Sequence, residues 1–182
     1  MLFRKRKSPQ ELGMLLRTVY PAAFGADMFH RLFDAKSFAE GRSIDEALAE
    51  WHAFGAFVFT HCVWLAVKDR DAISTVLDSF RPGVLRLLSG NDYAYSFFLE
   101  IAERREADYM KRFAALRGGN GAKLFGFFTR AVSRIIGSFS EEAESVGLPQ
   151  DAPIDCVVPL SEYTMGVMSC TKDAITKNPR IA

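Results

Sequence analysis

The sequence predicts an all-α protein, a single-domain bundle of six or seven mostly antiparallel helices around a buried central helix at about residues 44–67. The start of the central helix is well marked, because Ser43 precedes it and Glu46 follows three residues later, the spacing of a reciprocal N-terminal cap. No residue from Trp51 to Val67 is formally charged. A helix that is apolar on all sides must be covered. We therefore expect the other segments of the chain to surround it.

Two helices are predicted before the central one. Ser8 and Glu11 form a second capping pair, and the proline between them suits the first helical position, so the pattern predicts a helix over residues 9–20. Pro21 is expected to interrupt that helix and to start the next one, which ends near Phe33. The segment from there to the central helix is predicted to be a connection with one helical turn at most.

Two further helices are predicted directly after the central one. Apolar residues at helical spacing from Ile73 to Leu88 predict a helix that continues through a proline. The next predicted helix runs from Asp92 to Arg117, where two glycines stop it. Asp108 and Arg112 stand four residues apart on this helix, the spacing of an ordinary surface ion pair. Its acidic residues are therefore predicted to form a solvated face.

The last third of the chain predicts two more helices. One runs from Asn120 to Val146, since asparagine is a good N-terminal cap and Gly147 is a good stop. The other runs from about Leu160 to Lys177, with apolar residues mainly at helical spacing. The short β-branched run between these two helices leaves the conformation of residues 150–160 open.

Composition narrows the class of protein. A chain of 182 residues suits one domain, and its three cysteines without any Cys-x-x-Cys spacing suit reduced thiols in the cytoplasm. The chain has 23 basic and 22 acidic residues, and four of the basic ones are consecutive near the start, so the remainder has 19 against 22, a charge of −3. A nucleic-acid-binding body is therefore not expected. We expect residues 1–8 to form a basic, disordered tail and residues 9–178 to form the single helical domain.

No catalytic or metal-binding pattern emerges. His52 and His61 are nine residues apart, which is a rotation of about 900° and places them on opposite sides of one helix. Each is better explained as a hydrogen-bonded core histidine than as a metal ligand. The sequence has no Glu-x-x-His pair and no Gly-x-Ser-x-Gly elbow. We accordingly predict no catalytic residue, no metal and no cofactor, and we favour a protein that is not an enzyme.

Three functional hypotheses follow. The first is an interaction protein, an adaptor or regulator that offers a helical face to a protein partner or to a second copy of itself. The second is a carrier or sensor of a small apolar ligand, held within the bundle by Phe54, Phe57, His61 and Trp64.

The third hypothesis is a peripheral membrane protein. Its basic start and its basic amphipathic stretch at residues 121–140 have the composition of membrane-surface segments. The cations predicted to contact a membrane or another anion are Arg4, Lys5, Arg6, Lys7, Lys123, Arg130 and Arg134. A transmembrane span is less favoured, because the uncharged half of the central helix is shorter than the ~20 residues that cross a bilayer.

Overall fold

The structure, a computed structural model, describes residues 7–116, 121–146 and 150–177. Within these ranges the chain is helical and has no β-strand, which confirms the all-α prediction. A short 3-10 turn at Ala35–Ser37 lies in the connection before the central helix. The α-helices are α1 (Pro9–Phe24), α2 (Ala26–Leu32), α3 (Ile44–Ala66), α4 (Arg70–Leu88), α5 (Asp92–Ala114), α6 (Gly121–Ile136), α7 (Glu141–Ser145) and α8 (Ile154–Thr176).

Helix α3 is the centre of the bundle, as predicted. It packs against α1, α2, α4, α5, α6 and α8. The predicted cap is present, since the Ser43 hydroxyl accepts from the backbone N–H of Glu46 at 3.1 Å and the Glu46 carboxylate accepts from the Ser43 N–H at 3.3 Å. Most of its uncharged half is buried, with Trp64 and Leu65 as the exposed exceptions. No helix in the described ranges has both the length and the apolarity to cross a membrane.

The predicted break at Pro21 is wrong, because α1 continues through Pro21 and ends at Phe24. The break lies at Gly25, whose N–H donates to the Pro21 carbonyl at 2.8 Å. A Cβ atom on Gly25 would come within 2.3 Å of that carbonyl oxygen, so glycine alone fits here. The Trp51 indole N–H donates to the Phe24 carbonyl at 2.9 Å and satisfies the last turn of α1.

The predicted single helix over residues 120–146 is also wrong, since α6 ends at Ile136 and α7 is a separate short helix. Gly137 has a φ of +86°, a left-handed conformation that favours glycine. The Arg42 side chain lies against it and donates to the carbonyls of Arg134 at 2.8 Å and Ile135 at 3.2 Å. Arg42 thus satisfies the open end of α6. Asn120 and the glycines at 118, 119 and 147 lie outside the described residues.

Helix α8 begins at Ile154, about six residues earlier than predicted. It contains Pro159, and it includes the β-branched run that sequence alone left unassigned. Val157 and Leu160 are fully buried on one face of this helix. Burial of that face outweighs the weak helix propensity of β-branched residues.

Aromatic rings fill the space between α3 and its neighbours. Tyr20 and Phe24 of α1 contact Phe59 and Trp51 of α3. The Tyr20 hydroxyl also lies 3.2 Å from Nδ1 of His52. Burial lowers the pKa of His52 to about 4, so this histidine is a neutral, hydrogen-bonded member of the core near pH 7.

Candidate functional site

An apolar groove runs between α1 and α8. Both helices pack on α3, but at most a few close contacts join them to each other. One hydrogen bond joins them directly, since the Tyr163 hydroxyl in the first half of α8 donates to the Ala23 carbonyl near the end of α1. The groove has a volume of about 500 Å³ and Phe59 of α3 forms its floor. Its walls are Leu15, Leu16, Val19 and Ala23 of α1, and Glu162, Tyr163, Gly166, Val167, Cys170, Thr171 and Ala174 of α8.

The chemistry of the groove favours an apolar occupant. Of the described residues that line it, Glu162 alone has a formally charged side chain. Val19 is 41% exposed even though it is a large aliphatic residue in the wall. A concave surface of this kind, with few polar groups, is typical of sites for ligands or partner side chains.

Packing among the described residues does not require the glycine at position 166, which lies in the wall of the groove. It lies in the middle of α8, where glycine destabilises a helix by ~1 kcal/mol relative to alanine. A Cβ atom built on Gly166 would meet no heavy atom within 4 Å. By contrast, a Cβ atom on Gly55 of α3 would come within 2.6 Å of the Phe24 ring, so intrachain packing accounts for that glycine. Gly166 keeps the groove wide.

The four residues predicted to form a ligand pocket are not brought together around a single space. Phe54 and Phe57 are fully buried and lie in ring contact with Tyr109 and Phe127. His61 is nearly buried, and its ring centroid lies 5.8 Å from that of Phe57. Trp64 is 49% exposed and lines a different surface depression, beside α4.

The cations predicted to contact a membrane or another anion also lie in different parts of the structure. Lys7 and Lys123 are exposed, whereas Arg130 and Arg134 are buried on the inner side of α6. Arg4, Lys5 and Arg6 lie outside the described residues. The two buried arginines therefore do not belong to a solvent-facing basic surface of α6.

Arg130 and Arg134 belong to a charged cluster that joins α5, α6 and α7. The predicted pair of Asp108 and Arg112 is confirmed, at 2.8 Å between carboxylate and guanidinium, but Asp108 is partly buried and the prediction that it belongs to a solvated face is wrong. The second oxygen of Asp108 accepts from Arg134 at 2.7 Å and from Arg130 at 3.2 Å. Glu144 of α7 accepts from Arg112 at 2.6 Å and also pairs with Arg130. We call these five residues the arginine cluster.

Burial and neighbouring charges shift the pKa values of two members of the arginine cluster, Asp108 and Arg130. Burial raises the pKa of Asp108, but the hydrogen bond from Arg112 and the charges of Arg134 and Arg130 lower it further, so it lies below the usual value. Burial and then the neighbouring charge of Arg134 lower the pKa of Arg130 to about 10. Asp108 is therefore ionised and Arg130 is protonated near neutral pH.

Nucleophilic and metal chemistry find no support in the described part of the chain. Burial raises the pKa of the Cys62 thiol to about 12, which keeps it protonated and unreactive near neutral pH. No group of three or more histidine, cysteine, aspartate or glutamate side chains within the described ranges could hold a metal ion.

Sequence reasoning missed the groove although the sequence contains a pattern for it. The buried stripe of α8 includes Leu160, Thr164, Met168, Thr171 and Ile175. A second stripe lies beside it at helical spacing, formed by Tyr163, Val167, Cys170 and Ala174, and all four line the groove. Two adjacent stripes make an apolar face that is wider than the surface one neighbouring helix covers. The width of that face was the evidence in the sequence for an uncovered apolar groove.

Comparison of the sequence with protein-family models gives no match, and comparisons with curated proteins and with solved structures give none either.

Proposed function

We propose that this chain is a non-enzymatic interaction protein, an adaptor or regulator that binds a helix of a protein partner in the groove between α1 and α8. The observation that carries the proposal is the groove itself, an apolar concavity that α1, α3 and α8 leave open. A helix laid in an apolar groove is a recurrent mode of peptide recognition.

The dimensions of the groove suit a short amphipathic helix. From Glu162 to Ala174 its α8 wall is about 18 Å long at the helical rise of 1.5 Å per residue, which is a little over three turns. A partner helix of this length presents apolar anchors at positions i, i+3 or i+4, and i+7. The carboxylate of Glu162 on the rim favours a lysine or arginine at one end of that helix.

Site-directed photo-crosslinking tests this proposal. Cys62 and Cys156 are buried and Cys170 is exposed, so replacing Cys170 by serine and Ser169 by cysteine leaves one reactive thiol beside the groove. A benzophenone group attached there should crosslink a partner protein in lysate from the source cells. Adding Gly166→Trp should abolish the crosslinked product, because the indole occupies the open space above residue 166.

The matched control introduces tryptophan on α8 outside the groove. Met165 is exposed, is adjacent to Gly166 and does not line the groove, so Met165→Trp should leave the crosslinked product unchanged. Both tryptophan variants should give circular dichroism spectra of a folded helical protein. A product that survives Gly166→Trp, or that Met165→Trp removes equally, contradicts binding in the groove. A crosslinked product with the mass of two copies assigns the groove to self-association.

A second candidate, the carrier of a small apolar ligand, also draws on the groove. Its volume of about 500 Å³ lies within the ~300–1,000 Å³ range of small-molecule sites. The aromatic interior around Phe54 and Phe57 is packed with rings, so we place such a ligand in the groove instead.

Native mass spectrometry of freshly purified protein tests the second candidate. The wild type and Met165→Trp should retain an added mass of a few hundred daltons, and Gly166→Trp should lose it because the indole fills the groove. Spectra in which the wild type shows the mass of the bare chain alone contradict the carrier role.

The peripheral membrane alternative draws less support. Two of its predicted cations, Arg130 and Arg134, are buried in ion pairs and do not form a solvent-facing basic surface for a membrane. The exposed cations that remain for it in the described ranges are Lys7 and Lys123.

A further inference from the structure

A second depression, separate from the groove, opens beside the arginine cluster. It has a volume of about 650 Å³ and is lined by residues of α5, α6 and α7 and by residues 150–152. Arg112 and Arg130 line it together with Glu144, Thr129 and Gln150. Arg130 is 94% buried, with 6% of its surface exposed, so its guanidinium is held in place at the wall of the depression. Asp151 on the rim is exposed, and water screens its charge.

The arginine cluster has more positive than negative charge. Three guanidinium groups, those of Arg112, Arg130 and Arg134, share two carboxylates, those of Asp108 and Glu144. The surplus is one positive charge. Hydrogen-bonding capacity is also in excess, because Nε of the buried Arg134 has no acceptor within the described part of the chain. The lowered pKa of Arg130 is consistent with this crowding of cations.

Glu144 is held in the cluster chiefly by its charge. It lies on α7, a five-residue helix that has no buried residue. One oxygen of its carboxylate meets Arg112 at 2.6 Å and also contacts Arg130, so two guanidinium groups converge on a single oxyanion in charge-assisted hydrogen bonds. Gly126 of α6 lines the same depression, and a Cβ atom there would meet nothing within 4 Å, so the approach to Arg130 is open.

We propose that this depression binds a phosphate group at Arg112 and Arg130, in the position that the Glu144 carboxylate occupies. A phosphate dianion carries two negative charges where Glu144 carries one. Together with Asp108 it supplies three negative charges to the three arginines and removes the surplus. A carboxylate ligand would leave the surplus unchanged, which is why the site favours phosphate. Glu144 acts as the competing internal anion when no phosphate is bound.

Titration calorimetry with inorganic phosphate at constant ionic strength tests the site. Glu144→Gln removes the competing charge while keeping the side-chain shape, and it should bind phosphate at least ten times more tightly than the wild type. Glu142→Gln removes the same charge from an exposed position on α7 and should match the wild type. Adding Arg112→Ala to Glu144→Gln should weaken phosphate binding at least tenfold.

Equal phosphate affinity of Glu144→Gln and Glu142→Gln would overturn the proposal. Thermal unfolding of the wild type gives a second measurement that does not depend on the stability of the Glu144 variant. The melting temperature should rise with phosphate and not with chloride of equal ionic strength, because a ligand that binds the folded state stabilises it. Arg112→Ala should remove that rise, and Arg104→Ala, at an exposed position eight residues earlier on α5, should retain it. A rise that Arg112→Ala leaves intact also overturns the proposal.

A vesicle experiment distinguishes a phosphate group carried by a lipid from a soluble one. Phe125 is 44% exposed and lines the same depression, where it could contact acyl chains. Co-sedimentation with phosphatidylcholine vesicles that contain phosphatidic acid, lost in Arg112→Ala, would identify a lipid phosphate monoester as the ligand. Binding of inorganic phosphate without vesicle binding would identify a soluble one. Failure of the phosphate experiments leaves the helix-binding groove unaffected, since the two sites share no residue.

Discussion

Replacing Arg105 by methionine is expected to lower the free energy of unfolding by about 3–5 kcal/mol, the cost of leaving a buried charge without its partner. Glu50 of α3 is 2% exposed, and its carboxylate accepts from Arg105 of α5 at 2.6 Å and at 2.9 Å. Burial lowers the pKa of Arg105, but the hydrogen bonds and the charge of Glu50 raise it more. Urea unfolding followed by circular dichroism measures the loss.

Two further variants distinguish the loss of the ion pair between Glu50 and Arg105 from the loss of an arginine side chain in general. Arg104→Met changes the exposed neighbour and should alter stability by less than about 0.5 kcal/mol. Replacing both Glu50 and Arg105 by methionine should recover most of the loss, because an apolar pair needs no compensating charge. If Arg105→Met is as stable as Arg104→Met, the pair does not hold α5 to α3 in the way we describe.

The start of each well-capped helix could be predicted from sequence, because a cap is local. Ser8 with Glu11 and Ser43 with Glu46 form the expected reciprocal bonds. Helix ends were harder when they depend on distant residues. Gly137 ends α6 while Arg42, nearly a hundred residues earlier in the chain, accommodates its turn. Pro21 does not end α1, since the break lies one turn later, at Gly25.

Most of each candidate site could not be predicted from sequence, because it too depends on residues that are far apart in the chain. Asp108 and Arg112 are predictable as neighbours on one helix, but Arg130 and Arg134 join them only because α5 and α6 come together. Arg130 and Arg134 resemble surface cations in the sequence, and their burial follows from carboxylates on other helices. A groove likewise depends on the space that two helices leave unfilled. The spacing of apolar residues within one helix indicates a wide apolar face but does not show where the groove lies.

Replacing Gly13 by alanine is expected to destabilise the protein by about 2–3 kcal/mol, although alanine is the better helix former. Helix α1 packs along α4 at this point. A Cβ atom on Gly13 would lie 2.4 Å from the Val76 carbonyl oxygen and 2.5 Å from Cβ of Ser79. A backbone oxygen cannot rotate away, so the two helices must separate. Chemical denaturation of the purified variant measures the loss of stability.

The identical substitution at Gly166 should have the opposite sign and stabilise the protein by about 0.5–1 kcal/mol, because the added methyl group meets nothing and the helix gains propensity. The pair of variants therefore distinguishes a glycine that intrachain packing requires from one that it does not. A destabilising Gly166→Ala would mean that the space above α8 is filled by the protein itself, and the groove could not be a binding site. A stabilising Gly166→Ala would show that folding does not require glycine at this position. That result is expected if the position is kept open for a bound partner, as we propose.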